Sequence, residues 1–139
     1  MNVIVDTNVL LSAALRDRLP ERVVLFIATG PRFHWLVTQE ILTEYVEVLR
    51  RPKFKLDDEA IDGWSKLLES QTIHMASPSL DVNDLRDPKN APFLAAALAS
   101  DADYLITGDK DLLHFSGRIR TRIVTVAEFA AEFEIASSG

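Results

Sequence analysis

The chain reads as an α/β protein, an α/β sandwich with a largely parallel sheet. Three observations predict this. Short apolar, β-branched runs alternate with helix-like segments, which is the pattern of repeated strand–helix units. Two of these runs, in VIVDTN and YLITGDKD, lead into an aspartate, as strands do where an open sheet presents its carboxyl edge to a ligand. At 139 residues and 47% hydrophobic content, the chain can bury a real core, and it is expected to form a single domain over residues 1–139.

The elements follow in order. Asn2–Val5 is expected as a strand and Thr7–Leu15 as a helix or helical turn. Glu21–Ala28 reads as a helix with Pro20 in its first turn, where the missing N–H costs nothing. His34–Val37 is a short strand. Thr38 suits the N-cap of a helix that runs to about Arg50 and is stopped by Pro52. A further helix begins at Asp57 or Asp58 and reaches about Glu69, followed by strand-like Thr72–Met75. Residues 76–90, ASPSLDVNDLRDPKN, have loop composition. Phe93–Ser100 is an alanine-rich helix able to lie close on a sheet. Tyr104–Thr107 is strand, Asp109–Leu113 a helical turn and Ile123–Val124 a last short strand. Thr125 and Glu128 form the signature of a capping box opening a terminal amphipathic helix.

Composition removes several classes of function. Without cysteine there is neither a disulfide framework nor a thiolate zinc site, as suits a reducing cytoplasm. No apolar run has the length of a signal peptide or a membrane span, so a cytoplasmic protein without membrane contact is expected. A net charge of -6 argues against simple electrostatic wrapping of nucleic acid, though not against an acidic site neutralised by metal.

Asp6 poses the central question. A carboxylate at the end of a buried strand is costly unless paired. It can cap the following helix, or point into the crevice as a metal ligand or nucleophile. Asp109 ends a second strand in the same way, with Gly108 expected to allow a sharp turn. Asp103, six residues earlier, belongs to the opposite edge of the sheet, about 20 Å away at roughly 3.3 Å per residue. On the Thr38–Arg50 helix, Ile41, Leu42, Tyr45, Val46, Val48 and Leu49 make an apolar stripe, with Glu40, Glu44 and Glu47 on the other side. Glu44 lies closest to the apolar edge and is the glutamate most able to look inward; the alternative for it is the solvated acidic face that suits Glu40 and Glu47. Gathered carboxylates raise one another's pKa, and a divalent cation relieves the conflict. Mg²⁺ and Mn²⁺ prefer such hard oxygen ligands, can acidify a bound water and can stabilise charge on a phosphoryl oxygen.

These segments resemble the PIN domains, and more closely the bacterial PIN-type toxin ribonucleases (VapC-like). VIVDTNVLLSA resembles their opening strand and helix, ILTEYVEVLRRPKF their glutamate-bearing helix, and RDPKNAPFLAAALASDADYLITGDKDLL their acidic loop, helix and final acidic strand end. The resemblance implies an α/β/α fold, dependence on Mg²⁺ or Mn²⁺, and cleavage of single-stranded RNA by metal-activated water. It makes Asp6, Glu44 and Asp109 the catalytic metal-site acids and Asp111 a further acidic contributor. Thr7, Asn8 and Thr107 match polar positions beside the site. An antitoxin protein and a homodimer follow by analogy. One position departs: the family has an aspartate where this chain has Asn90. Asn90 can still offer a carbonyl oxygen to metal, Asp87 can turn inward as a substitute, or Asn90 can serve as N-cap of the next helix.

Other residues carry weaker signals. The run RRPKFK puts Arg50, Arg51, Lys53 and Lys55 at a helix C-terminus, where the macrodipole favours cations; with Phe54 it could also guide an RNA strand. His34 and His74 are expected to pack or make structural hydrogen bonds, whereas His114 is a candidate site neighbour. Two other functions compete. One is a catalytically attenuated PIN scaffold that binds RNA or protein, motivated by Asn90. The other is a phosphatase with Asp6 as nucleophile, for which the usual Asp-x-Asp pattern would need an aspartate where Asn8 stands.

Overall fold

The computed structural model describes residues 1–79 and 85–136. Strands β1 (Asn2–Val5), β2 (His34–Val37), β3 (Thr72–His74), β4 (Tyr104–Ile106) and β5 (Arg122–Val124) form one sheet. Its order is β3-β2-β1-β4-β5, and every pairing is parallel. Helices α1 (Thr7–Ala14), α2 (Arg18–Thr29), α3 (Gln39–Leu49), α4 (Asp58–Gln71), α5 (Ala91–Ser100), α6 (Lys110–Leu113) and α7 (Val126–Glu132) flank it.

β1 shows why the sheet is covered on both faces. Successive side chains of a strand point to opposite faces. Val3, Ile4 and Val5 are nevertheless all fully buried, so helices must pack on each side. The alanines of α5 serve this purpose: Ala95, Ala96 and Ala97 are buried, and small side chains let the helix approach β1 and β4. At the far end Phe129 and Phe133 of the α7 segment stack with Phe33 and Tyr104, fastening α7 to the sheet.

Local signals set the helix starts. Thr38 Oγ1 accepts from Ile41 N–H at 3.1 Å at the head of α3. The capping box of α7 is complete: Glu128 N–H donates to Thr125 Oγ1 at 3.1 Å and Thr125 N–H to Glu128 Oε1 at 2.9 Å. α3 ends at Leu49, and Pro52 opens a short 3-10 turn, Pro52–Phe54.

Several elements differ from the sequence reading. α2 begins at Arg18 and α5 at Ala91, both earlier than expected, because Pro20 and Pro92 are accommodated in first turns. In the expected loop 76–90, Pro88–Asn90 forms a 3-10 turn, while residues 80–84 lie outside the described residues. Gly108 needs no glycine: its φ lies outside the left-handed region, and an added Cβ would meet nothing within 4 Å. His34 and His74 are exposed rather than packed, His34 at the first position of β2 and His74 on the edge strand β3. Among the described residues, His34 makes a side-chain hydrogen bond, Nδ1 lying 3.3 Å from Asn2 Oδ1, and His74 makes none.

The sheet order matters for function. From β1 the chain moves to β2 and β3 on one side; β4 and β5 then fill the other. The switch point therefore lies between β1 and β4, paired Val3 with Tyr104 and Val5 with Ile106. In open α/β sheets, ligands bind outside the carboxyl ends of the strands at such a point. Asp6 and Thr107 are the next residues on these two strands. Among the described residues no helix is long and apolar enough to cross a membrane.

Candidate active site

Asp6 sits at the N-cap position of α1, but its side chain makes no capping bond. Only its backbone carbonyl serves the helix, accepting from Val9 N–H at 3.0 Å. The carboxylate is 4% exposed and accepts from the Thr107 hydroxyl at 2.6 Å through Oδ2. Burial raises its pKa above the ordinary aspartate range; the Thr107 bond opposes this, and the nearby charges of Asp109 and Glu44 add to the rise. Asp6 is thus a costly anion held in place, with two more anions beside it.

The other acids arrive from separate elements. Glu44 reaches from α3 and accepts a hydrogen bond from Thr7 Oγ1, the first residue of α1. It is the inward-looking glutamate of its helix, whereas Glu40 and Glu47 are exposed. Beneath it Tyr45, fully buried, donates its hydroxyl to the Val5 carbonyl and lies 3.3 Å from Trp35 Nε1. That anchor ties α3 to the end of β1 next to Asp6. Asp109 caps α6, accepting Asp111 N–H at 2.9 Å, and its own N–H donates to Thr107 Oγ1 at 3.0 Å.

Asp6, Glu44, Asp87, Asn90 and Asp109 line one open cavity of about 370 Å³, with Thr7 and Asn8 at its α1 side. Phe93 and Val48 supply apolar wall. Glu47, Arg51 and Lys89 complete it, and of these only Arg51 was singled out by sequence. Arg51 is paired with Glu47 at 2.9 Å on the surface. The remaining basic residues of its run do not line the cavity: Arg50 and Lys55 are exposed, and Lys53 Nζ lies over the Phe54 ring at 5.1 Å. Glu47 and Lys89 carry no motif, and only the packing of α3 beside α5 brings them to the cavity.

Asn90 lies at the cavity, as the sequence reading allowed, but Asp111 lies elsewhere and the two are paired. Asp111 does not line this cavity. Its carboxylate accepts Arg86 N–H at 3.0 Å, Asp87 N–H at 3.1 Å and Asn90 Nδ2 at 3.1 Å. Desolvation works against the charge, but these donors hold its carboxyl below the ordinary range. Asn90 precedes α5 without capping it through its side chain, and is buried. His114 joins Arg86, Lys110 and Asp111 around a neighbouring cavity of about 580 Å³.

The oxygen-rich donor set suits a hard divalent cation. Among the described residues, however, no three His, Cys, Asp or Glu side chains converge to hold an ion. Glu44 is turned to Thr7 through Oε2 and Asp109 to the start of α6 through Oδ1, so each carboxylate keeps a second oxygen outside these bonds.

A parallel α/β fold with an acidic cavity at its switch point defines the class. Residues 2–111 match the PIN domain family, and the chain belongs to it. PIN domains typically are metal-dependent nucleases and generally bind divalent metals. Among solved structures, the chain is similar to VapBC2 from Rickettsia felis, bound to a DNA fragment from their promoter. The TM-score is 0.58 at 14% identity, over 90% of this chain and 98% of that chain. It is also similar to the PIN domain endonuclease Utp24, with a TM-score of 0.49 at 13% identity over 81% of this chain and 74% of that chain. Comparison with curated proteins gives no match.

Proposed function

We propose that this protein is a metal-dependent endoribonuclease that hydrolyses phosphodiesters of single-stranded RNA, its residues 1–139 forming a single PIN domain. The observation that carries the reading is Asp6: a buried carboxylate facing an open cavity beside Asp109 and Glu44, its proton affinity raised by burial and by like charge. Folding maintains that conflict instead of removing it, as a cation site requires.

Asp6, Glu44 and Asp109 would hold Mg²⁺ or Mn²⁺, with the carbonyl of Asn90 and the carboxylate of Asp87 within the same cavity. When bound, such an ion acidifies water and stabilises charge developing on a phosphoryl oxygen. Thr107 orients Asp6 through its 2.6 Å bond, and Thr7 orients Glu44. Asn8 offers a polar group at the cavity mouth. Arg51 and Lys89 line the same cavity and would meet an RNA phosphate there. Purified protein should cleave a mixed single-stranded RNA pool with Mn²⁺, and the Asp6→Ala variant should not; equal activity of the two rejects the reading.

The likeness to VapBC2 supports an antitoxin partner and a role as the toxin of such a pair. An arginine of the antitoxin would pair with the cavity carboxylates. A second reading, an attenuated scaffold that binds RNA or protein, rests on Asn90, the neutral side chain among the cavity's acids. Silence of wild type in the cleavage assay, with retained RNA binding, selects it.

A further inference from the structure

Residues 86–90 hang from a single side chain. Both carboxylate oxygens of Asp111 are used: Oδ1 takes Arg86 N–H, and Oδ2 takes Asp87 N–H and the Asn90 amide. The segment is tightened further by Lys89 N–H on Asp87 Oδ1 and Asn90 N–H on the Asp87 carbonyl, each at 3.0 Å. Asn90 has one amide hydrogen-bonding end committed to Asp111, and lines the acidic cavity while 5% exposed. A carboxylate at position 90 would set two negative charges where 3.1 Å now separates donor from acceptor. Like charges that close cannot both remain ionised without a cation between them.

We propose that Asn90 and Asp111 form a one-charge latch: together they fasten residues 86–90 as a wall of the acidic cavity, and residue 90 is neutral because residue 111 carries the charge. Asp111 is then a positioning residue for the cavity and not one of its metal-facing acids. Asn90 is the latch's donor, with its carbonyl left to the cavity, and not a lost ligand. The latch itself stands independently of the nuclease reading; only its relation to metal rests on that reading.

A two-by-two set of variants tests it: wild type, Asn90→Asp, Asp111→Asn and the Asn90→Asp/Asp111→Asn swap. Amide hydrogen exchange at Arg86 and Asp87, measured with chelator present, reports the latch without any RNA. Asn90→Asp should speed exchange about tenfold or more while Asp111 is present. In the Asp111→Asn background the same change should not speed it, since an asparagine at 111 can donate to the new carboxylate. Equal acceleration in both backgrounds, or none in either, overturns the latch. If Asn90→Asp alone unfolds, return of a cooperative thermal transition in the swap supports the pairing, and failure to return overturns it.

Calorimetric titration with Mn²⁺ gives the second arm. The swap keeps the pair's single charge but moves it to the cavity, so it should bind Mn²⁺ about tenfold more tightly than wild type. Equal affinity overturns the assignment of residue 90 as the pair's cavity-facing member. Absence of Mn²⁺ binding in all four proteins rejects the metal reading of the cavity, while the exchange cycle still decides the latch.

Discussion

The Thr107 hydroxyl donates to Asp6 Oδ2 at 2.6 Å, joining residues 101 positions apart across the β1–β4 seam. Thr107 is fully buried, and its oxygen also accepts Asp109 N–H at 3.0 Å. One hydroxyl therefore orients one acid and positions the backbone of another.

Replacing Thr107 with valine keeps the volume and removes the donor. The Asp6 carboxylate then loses its hydrogen bond, and so does Asp109 N–H. Thr107→Val should destabilise the protein by about 1–3 kcal/mol at pH 7. Because the bond favours the charged form of Asp6, the loss should shrink in acid as Asp6 takes up a proton. Urea unfolding at pH 7 and at pH 4 checks both statements.

Asp6 itself sets a sign for the pH dependence. Its folded pKa is raised above the ordinary 3.8, so the folded state binds the proton more tightly than the unfolded chain does. In chelator, this group's contribution falls as pH climbs from about that ordinary value through the raised folded one. Asp6→Asn keeps an acceptor for Thr107 and abolishes the titration. The variant should lack that loss of stability with rising pH and be more stable than wild type at neutral pH. Thermal melts across pH without metal test this; a lower neutral-pH stability in the variant contradicts it.

Metal should reverse the ranking. Mn²⁺ added at neutral pH raises the melting temperature of wild type by binding the folded state alone. Asp6→Asn should show a clearly smaller rise at the same concentration. Identical rises would place the bound ion elsewhere.

Tyr45 is predicted to matter through geometry rather than charge. Tyr45→Phe leaves the Val5 carbonyl without this donor and Trp35 Nε1 without its acceptor, all in the fully buried region behind Asp6. A cost of about 1–3 kcal/mol is expected. Equilibrium denaturation followed by tryptophan fluorescence measures it.

Arg51 offers the contrast. Its pair with Glu47 lies on the surface, with side chains 39% and 57% exposed, so Arg51→Ala should leave the melting temperature little changed. Affinity for a non-cleavable single-stranded RNA should fall, and the salt dependence of binding should flatten by about 0.7 in log–log slope. Fluorescence anisotropy over a salt series reads both.

The fold was largely legible in the sequence because its strands are short, apolar and bounded by capping residues. Asp6 and Asp109 could be placed beside each other because each follows a strand, and parallel strands share a carboxyl edge. Glu44 could be selected from its helix because it borders the apolar stripe. What sequence could not convey were contacts across the chain. Thr7–Glu44 spans 37 positions and Asn90–Asp111 spans 21, and no local pattern marks either. Asp111 was expected among the metal-site acids through the family resemblance of its segment. A helical turn, however, sends neighbours two apart in different directions, and the structure turns it to the 86–90 segment. His34 makes the hydrogen bond expected of it, but neither strand histidine is packed: edge position and strand ends, which depend on sheet order, decide their exposure.

The seam between β1 and β4 also governs when the cavity comes into being. Its walls are drawn in part from residues 6, 44, 87, 89, 90 and 109, and β1 gains its second neighbour only with Tyr104–Ile106. A nascent polypeptide still short of β4 has Asp6 and Glu44 but neither Thr107 to orient the first nor Asp109 to join them. Such a chain has only part of the cavity. A cell making this protein would meet the completed acidic cavity only after synthesis had passed β4 and the sheet had closed around β1.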